Sequence, residues 1–149
     1  MKIHNAVAYI MKELQAQKLY KRTYLQKVAY FSFPDAWRQR LFKPTRYGPF
    51  SEAVQRFAQY LGQHKPLIDA WSQNVDTAFK KVVDNVINWI RSQKISQEKI
   101  IFLSKVAYLA RKGQEGKDIY KVATVLGWCD VLKESKCKQE PKIGGMSNE

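Results

Sequence analysis

Apolar residues recur at helical spacing along most of this chain, and this spacing limits the possible folds more than any other feature. Between residues 3 and 17, one apolar face is formed by Ala6, Val7, Ile10, Met11 and Leu14. Comparable spacing predicts further helical segments at 23–31, 36–42, 51–63, 82–90, 97–112 and 118–127. The sequence therefore predicts a mainly α fold.

Small polar residues mark where several of these helices should begin. Thr23, Ser51 and Ser96 are each predicted to cap a helix N-terminus, because their side-chain oxygen can accept a hydrogen bond from an unpaired backbone N–H. Glu52 suits the positive end of the helix dipole beside Ser51. Gly127 is predicted to end the last helix, since glycine readily adopts the left-handed conformation found at such ends.

The segment between residues 66 and 79 departs from helical spacing. PLIDAW, 66–71, is predicted as a brief strand, and SQN would turn it towards a second strand, VDTAF, 75–79. In the alternative, a helix begins near Asp76 and includes the second segment. The first interpretation adds a short β-hairpin to the helical domain.

KPTRYGPFS, residues 43–51, combines two prolines, a glycine, two cations and two aromatic residues. Pro44 favours extended geometry in the residue before it, and Gly48-Pro49 favours a sharp turn. Neither a helix nor a central strand accommodates this composition. We expect Tyr47, Gly48 and Pro49 to have mainly a structural role, with the tyrosine packing against the bend.

The length and composition of the chain are typical of one globular domain. It has 149 residues, of which 45% are hydrophobic. We predict a single helical domain over 1–132 and a polar C-terminal tail over 133–149. No segment approaches the roughly 20 apolar residues of a membrane span, and the N-terminus lacks the small-residue cleavage site of a signal peptide. We therefore expect a cytoplasmic protein without a membrane partner.

The charge of the chain is strongly positive and uneven. Lysine and arginine number 26 against 13 acidic residues, which gives a net charge of +13. Residues 1–65 hold 12 basic and 3 acidic residues, a balance of +9, and the remaining 14 and 10 give +4. Such a field attracts polyanions, nucleic acid first and an acidic protein surface second. In the alternative, the charge serves only solubility.

The basic residues of the N-terminal half are the candidate nucleic-acid contacts. They are Lys18, Lys21, Arg22, Lys27, Arg38, Arg40, Lys43 and Arg46. Four aromatic residues lie among them and are candidates for stacking on bases, or alternatively for half-buried edges of the core: Tyr20, Tyr24, Trp37 and Tyr47. We expect contacts to the phosphate backbone of DNA, RNA or a ribosomal surface. Lys136, Lys138 and Lys142 of the tail extend the same prediction.

The sequence contains no recognisable catalytic, metal or cofactor motif. It has no GxGxxG, P-loop, HExxH or nucleophile-elbow pattern, and His4 and His64 lie 60 positions apart. Cys129 and Cys137 lack zinc-site spacing and are interpreted as structural thiols, the alternative being a disulfide in an oxidising setting or in the cytosol of a hyperthermophile. We therefore expect a protein that is not an enzyme and has no cofactor or metal.

Three segments together resemble the YwgA-like proteins, which are related to the Panacea, or SocA-like antitoxin, domain. The first is the LQK run Leu25-Gln26-Lys27, followed by the aromatic Tyr30. The second is YGPFS, residues 47–51, opening a helix. The third comprises LSKVAYLARKG, 103–113, and a helix closing in LGW, 126–128. The resemblance covers about residues 5–128, and the second half departs from the Panacea pattern.

The resemblance implies a mostly helical fold with a winged-helix-like element. It also implies a role in nucleic-acid association or toxin neutralisation rather than catalysis. The antitoxin-type hypothesis places a protein partner, such as a toxin, on an aromatic surface around Phe50 and Tyr60. Its candidate residues are those of the shared motifs: Leu25, Gln26, Tyr47, Gly48, Pro49, Phe50 and Ser51.

Overall fold

The computed structural model describes residues 1–133 and residue 137, which form nine helices and one two-stranded antiparallel hairpin. The first four helices are α1 (Ile3–Ala16), α2 (Arg22–Ser32), α3 (Asp35–Leu41) and α4 (Glu52–Gln63). Strands β1 (Lys43–Thr45) and β2 (Gly48–Phe50) lie between α3 and α4. The remaining helices are α5 (Pro66–Ser72), α6 (Thr77–Ser92), α7 (Gln97–Gln114), α8 (Ile119–Leu126) and α9 (Cys129–Leu132). The predicted mainly α class with a short hairpin is confirmed.

Helices α1 and α2 form the centre of the molecule. Helix α1 packs against α2, α4, α5 and α6, while α2 also contacts α6, α7 and strand β2. Both helices are buried on most of their circumference, so even polar residues such as Asn5 and Gln26 are inaccessible to solvent. A smaller apolar cluster around Leu109, Ala123 and Trp128 joins α8 and α9 to α7.

The hairpin lies in KPTRYGPFS and not in residues 66–79, where the sequence predicted it. PLIDAW forms helix α5, for which Pro66 is a favourable first residue because that position needs no N–H donor. Helix α6 starts at Thr77 with Asp76 as its N-cap residue, as the alternative prediction had it. In the hairpin, Pro44 lies opposite Pro49. Proline has no backbone N–H, so two opposing prolines fit a position of the ladder where the facing residues exchange no hydrogen bonds.

The predicted helix boundaries are confirmed at three positions and wrong at one. Ser51 accepts from the Val54 N–H at 3.2 Å, and Ser96 accepts from the Lys99 N–H at 3.1 Å. Gly127 ends α8 in the left-handed conformation, with φ of 73°. Thr23, however, lies inside α2, whose N-cap residue is Lys21.

Cys129 and Cys137 are joined by a disulfide. The interpretation as two free thiols is therefore wrong for this structure. The other residues of the predicted tail beyond Lys133, including Lys136, Lys138 and Lys142, lie outside the described residues, as do the predictions made for them. Within the described part of the chain, every helix is too short or too polar to cross a membrane.

A two-point ion pair ties α3 to α7. The Arg111 guanidinium donates from Nε to Asp35 Oδ1 at 3.1 Å and from a terminal nitrogen to Asp35 Oδ2 at 2.7 Å. These hydrogen bonds lower the pKa of the Asp35 carboxyl, with smaller contributions from the charges of Arg111 and Arg38. Because the folded-state pKa is depressed, the pair stabilises the fold above the ordinary aspartate pKa of about 3.9.

We expect the contribution of this pair to be lost in acid. Asp35→Asn should lower the free energy of unfolding by a constant amount between pH 5 and pH 8. The difference from wild type should begin to shrink below about pH 4, where Asp35 takes up a proton in the unfolded chain, and should disappear once Asp35 is also protonated in the folded protein. Urea unfolding of both proteins at pH 7 and pH 3 measures the difference in the free energy of unfolding.

Glu52→Gln, which removes an exposed ion pair with Arg56, is the control and should lower the free energy of unfolding by less than about 0.5 kcal/mol at pH 7. A gap for Asp35→Asn that persists undiminished at pH 3 would contradict this account.

Candidate nucleic-acid interface

Gln26 of the LQK run fixes the end of the hairpin to helix α2. Its Nε2 donates to the Ser51 carbonyl and its Oε1 accepts from the Ser51 N–H, both at 2.9 Å. Both side chains are buried, and Leu25 beside them is part of the main core. The amide thus satisfies the Ser51 N–H and gives the Ser51 carbonyl, which also accepts from the Gln55 N–H at 3.2 Å, a second donor.

Lys27 acts on the same segment from the next position of α2. Its Nζ donates to the Pro49 carbonyl at 2.9 Å, and the residue is only 2% exposed. Lys27, predicted as a nucleic-acid contact, is therefore buried, and its ammonium group binds the backbone of the hairpin. Helices α6 and α7 and strand β2 pack around α2 and cover this side of it.

Gly48 allows the hairpin to lie directly on helix α7. Its φ is +92°, a conformation that side chains disfavour. A Cβ at this position would lie 2.6 Å from Ser104 Oγ of α7 and 3.2 Å from Lys27 Nζ. Ser104 is fully buried and donates to the Ile101 carbonyl at 2.7 Å. The glycine is therefore required both for the turn and for the close contact.

The LGW segment reaches the hairpin from the other end of the chain. The indole Nε1 of Trp128 donates to the Thr45 carbonyl at 3.1 Å, and the residue is 1% exposed. The tip of the hairpin is closed by Thr45, whose Oγ1 accepts from the Tyr47 N–H and donates to the Gly48 carbonyl. The three segments that carry the family resemblance thus meet at one hairpin. Sequence reasoning did not identify the contacts of Ser104 and Trp128, because both residues are far away in the sequence.

A cleft of about 910 Å³ opens beside this hairpin. Its walls are the first turns of α2, α4 and α7, the end of α3 and the outer face of the hairpin. Helix N-termini carry a partial positive charge, so the backbone adds to the positive potential of the cleft. Apolar lining comes from Leu41, Phe50 and Ile101.

Five of the eight predicted basic residues line the cleft. Arg22, Arg40, Lys43 and Arg46 are exposed there, while the buried Lys27 forms part of its wall. Two carboxylates, Glu52 and Glu98, also line it. Five cations and two anions leave a formal balance of +3. Glu52 is in addition engaged by Arg56 at 3.3 Å, and Arg22 donates to Gln55 Oε1 at 3.1 Å.

The other three predicted cations lie apart from the cleft lining. Arg38 pairs with Asp35 at 3.6 Å, and its guanidinium lies 5.8 Å from the centre of the Tyr30 ring. It belongs to a second cleft of about 610 Å³ between α3 and α7. Lys18 and Lys21 are exposed on the connection between α1 and α2.

The four interleaved aromatic residues divide into exposed and packed ones. Tyr47 is 41% exposed at the hairpin tip, so the prediction that its side chain packs against the bend is wrong. The Arg46 guanidinium lies 5.0 Å from its ring centre and donates to its hydroxyl at 2.9 Å. Tyr20 is exposed on the α1–α2 connection. Tyr24 is buried and donates to the Ile95 carbonyl, and Trp37 packs against the core. For Tyr24 and Trp37 the core interpretation is confirmed.

Among the described residues, no group of three or more histidine, cysteine, aspartate or glutamate side chains is placed to hold a metal ion. Comparison with family models, with curated proteins and with solved structures finds no match for this chain. The resemblance to the YwgA-like proteins therefore stays a prediction.

Proposed function

We propose that this protein binds nucleic acid without catalysing a reaction on it, through phosphate contacts made in the cleft beside the hairpin. The observation that carries the proposal is the convergence of Arg22, Arg40, Lys43 and Arg46 on one exposed concave surface. Arg40, Lys43 and Arg46 are close in the sequence, and the packing of α2 beside the hairpin brings Arg22 to them.

The geometry of the cleft suits a phosphate chain. The four exposed cations of the cleft, Arg22, Arg40, Lys43 and Arg46, are called the rim cations. Such side chains neutralise phosphates and release condensed counterions, and this release supplies most of the affinity in sequence-independent binding. The first turns of three helices add partial positive charge of the same sign. Glu52 and Glu98 reduce the net charge but leave a surplus of three cations.

The order of elements supports the winged-helix-like part of the proposal. Helices α2 and α3 are joined by the short turn at Phe33-Pro34, and the hairpin follows α3 directly. In helix-turn-helix proteins the second helix of such a pair contacts the nucleic acid. Arg40 on α3 and Arg46 at the hairpin tip would then contact neighbouring phosphates.

The distribution of aromatic residues favours this proposal over the antitoxin-type hypothesis. That hypothesis needs one aromatic surface around Phe50 and Tyr60. Phe50 lines the cleft, whereas Tyr60 lies eight residues beyond Glu52, about 12 Å along α4. There it stacks with His64 and with Trp71 of α5, at ring-centre distances of 4.1 and 5.9 Å. The two aromatic residues therefore belong to different surfaces.

We expect binding to weaken as salt is added, and to do so less in a variant that lacks two rim cations. In Arg40→Ala/Lys43→Ala, the slope of log affinity against log salt should fall in magnitude by about 1.4 to 1.8, that is 0.7 to 0.9 for each lost contact. Fluorescence anisotropy with a labelled duplex and a labelled single strand, each at several salt concentrations, measures the slopes.

The matched control is Lys81→Ala/Lys121→Ala, which removes two exposed cations from α6 and α8, outside the cleft. It should leave the slope close to that of the wild type. The proposal fails if neither form of nucleic acid binds, if affinity does not respond to salt, or if both double variants lose the same slope.

A further inference from the structure

We infer that the cleft takes a single strand, with at least one base stacked on Tyr47 and the phosphates held by the rim cations. This inference rests on the proposed function and narrows it to single-stranded nucleic acid. Three features of the cleft carry it: its concave shape, its aromatic and apolar lining, and the exposed tyrosine at its rim.

The lining of the cleft is mixed in a way that phosphate binding alone does not require. The cations Arg22, Arg40 and Lys43 lie among apolar side chains, including Phe50 and Ile101. A duplex presents phosphates and groove edges, while the faces of its bases remain stacked on one another. A single strand exposes base faces, which an apolar and aromatic surface can cover while nearby cations bind the backbone.

Tyr47 is placed to provide such a stacking surface. It lines the cleft from the tip of the hairpin and is 41% exposed, although strand β2 packs against α2 and α7. Arg46 lies 5.0 Å from the ring centre and donates to the hydroxyl, and these contacts restrain the ring. A ring already held in this way loses little conformational freedom when a base stacks on it.

The size of the cleft agrees with this occupant. A volume of about 910 Å³ is in the range of pockets that enclose small organic ligands, so it can enclose individual nucleotides. Phosphates on either side of an enclosed nucleotide would then lie at the rim, where Arg40, Lys43 and Arg46 are exposed. The base and its phosphates would be bound by different parts of one site.

The test compares a labelled single strand of about 20 nucleotides, longer than one binding site, with the same strand annealed to its complement. Anisotropy titrations at one salt concentration should give at least a tenfold higher affinity for the single strand. Tyr47→Ala should lower single-strand affinity roughly 5- to 150-fold, the range expected for the loss of one aromatic stacking partner, without changing the salt slope.

Tyr60→Ala is the matched control, since Tyr60 is 44% exposed but lies outside the cleft. It should leave single-strand affinity unchanged. Circular dichroism would show whether either variant has lost its fold, and Tyr47→Phe, which keeps the ring, should retain affinity. Equal or tighter binding of the duplex, or no loss in Tyr47→Ala, overturns this inference and leaves the proposed function standing. Failure of both nucleic acids to bind overturns both.

Discussion

Gly48→Ala should lower the free energy of unfolding by about 2–5 kcal/mol. Two physical costs add at this position. An alanine at φ of +92° is strained by about 1–2 kcal/mol, and the added methyl group would lie 2.6 Å from Ser104 Oγ. Overfilling a packed site typically costs a further 1–3 kcal/mol. Ser104 can move away only by rotating its hydroxyl and losing its hydrogen bond to the Ile101 carbonyl. Urea unfolding followed by circular dichroism measures the loss.

Two other glycines separate these costs. Gly116→Ala carries comparable strain, at φ of +83°, but no atom of the described residues lies within 4 Å of the added methyl group. It should therefore show the strain alone. Gly62 lies in α4, and no atom of the described residues is within 4 Å of the position of an added methyl group. Gly62→Ala should therefore stabilise the protein slightly, since alanine has a higher helix propensity than glycine. Equal losses in Gly48→Ala and Gly116→Ala would contradict the close contact between the hairpin and α7.

Helical spacing was sufficient to predict most of this fold because helix formation depends on a local pattern. The long helices α1, α6 and α7 each carry an apolar face that is buried against a neighbour, and the caps at Ser51 and Ser96 are local hydrogen bonds. Helix α5 was mistaken for a strand because a short apolar run such as PLIDAW fits either structure. The hairpin was placed there because the prolines of KPTRYGPFS disfavour a strand interior.

The site was predicted only in part, because its buried polar residues give no pattern in the sequence. Burial of Gln26 and Lys27 depends on which neighbours cover α2, and these come from residues 43–51 and from α6 and α7. Charge counting located Arg22, Arg40, Lys43 and Arg46 in one half of the chain. It could not separate them from Arg38, because only the packing of α3 on α7, where Arg111 binds Asp35 from 76 positions away, shows that Arg38 lines the second cleft.

The LQK run has a structural role that its composition conceals. On an isolated helix, glutamine and lysine are solvent-facing residues. In this fold both are buried and each binds a backbone group of the hairpin, Gln26 at Ser51 and Lys27 at Pro49. The two side chains thus fix the hairpin to α2 and form part of the cleft wall.

Gln26→Leu should lower the free energy of unfolding by about 1–3 kcal/mol. Leucine keeps the apolar volume in the core, but the buried Ser51 N–H loses its acceptor, while the Ser51 carbonyl keeps the Gln55 N–H at 3.2 Å. An unsatisfied buried group costs about 1–3 kcal/mol. Gln39→Leu is the control, since the Gln39 amide is exposed and donates to Asp35 at the surface. It should change stability by less than about 0.5 kcal/mol.

Hydrogen exchange can locate the effect of Gln26→Leu within the structure. In the variant, the Ser51 amide should exchange faster than in the wild-type protein, because its side-chain acceptor is lost. The amides of α1 should exchange as in the wild type, because α1 remains packed. Helix α4 should fray at its first turn, since Ser51 is its N-cap residue. Nucleic-acid affinity should fall in the same variant, because Glu52, Ala53 and the hairpin form one side of the cleft. Unchanged protection at Ser51 would mean that the amide of Gln26 does not hold the hairpin in place.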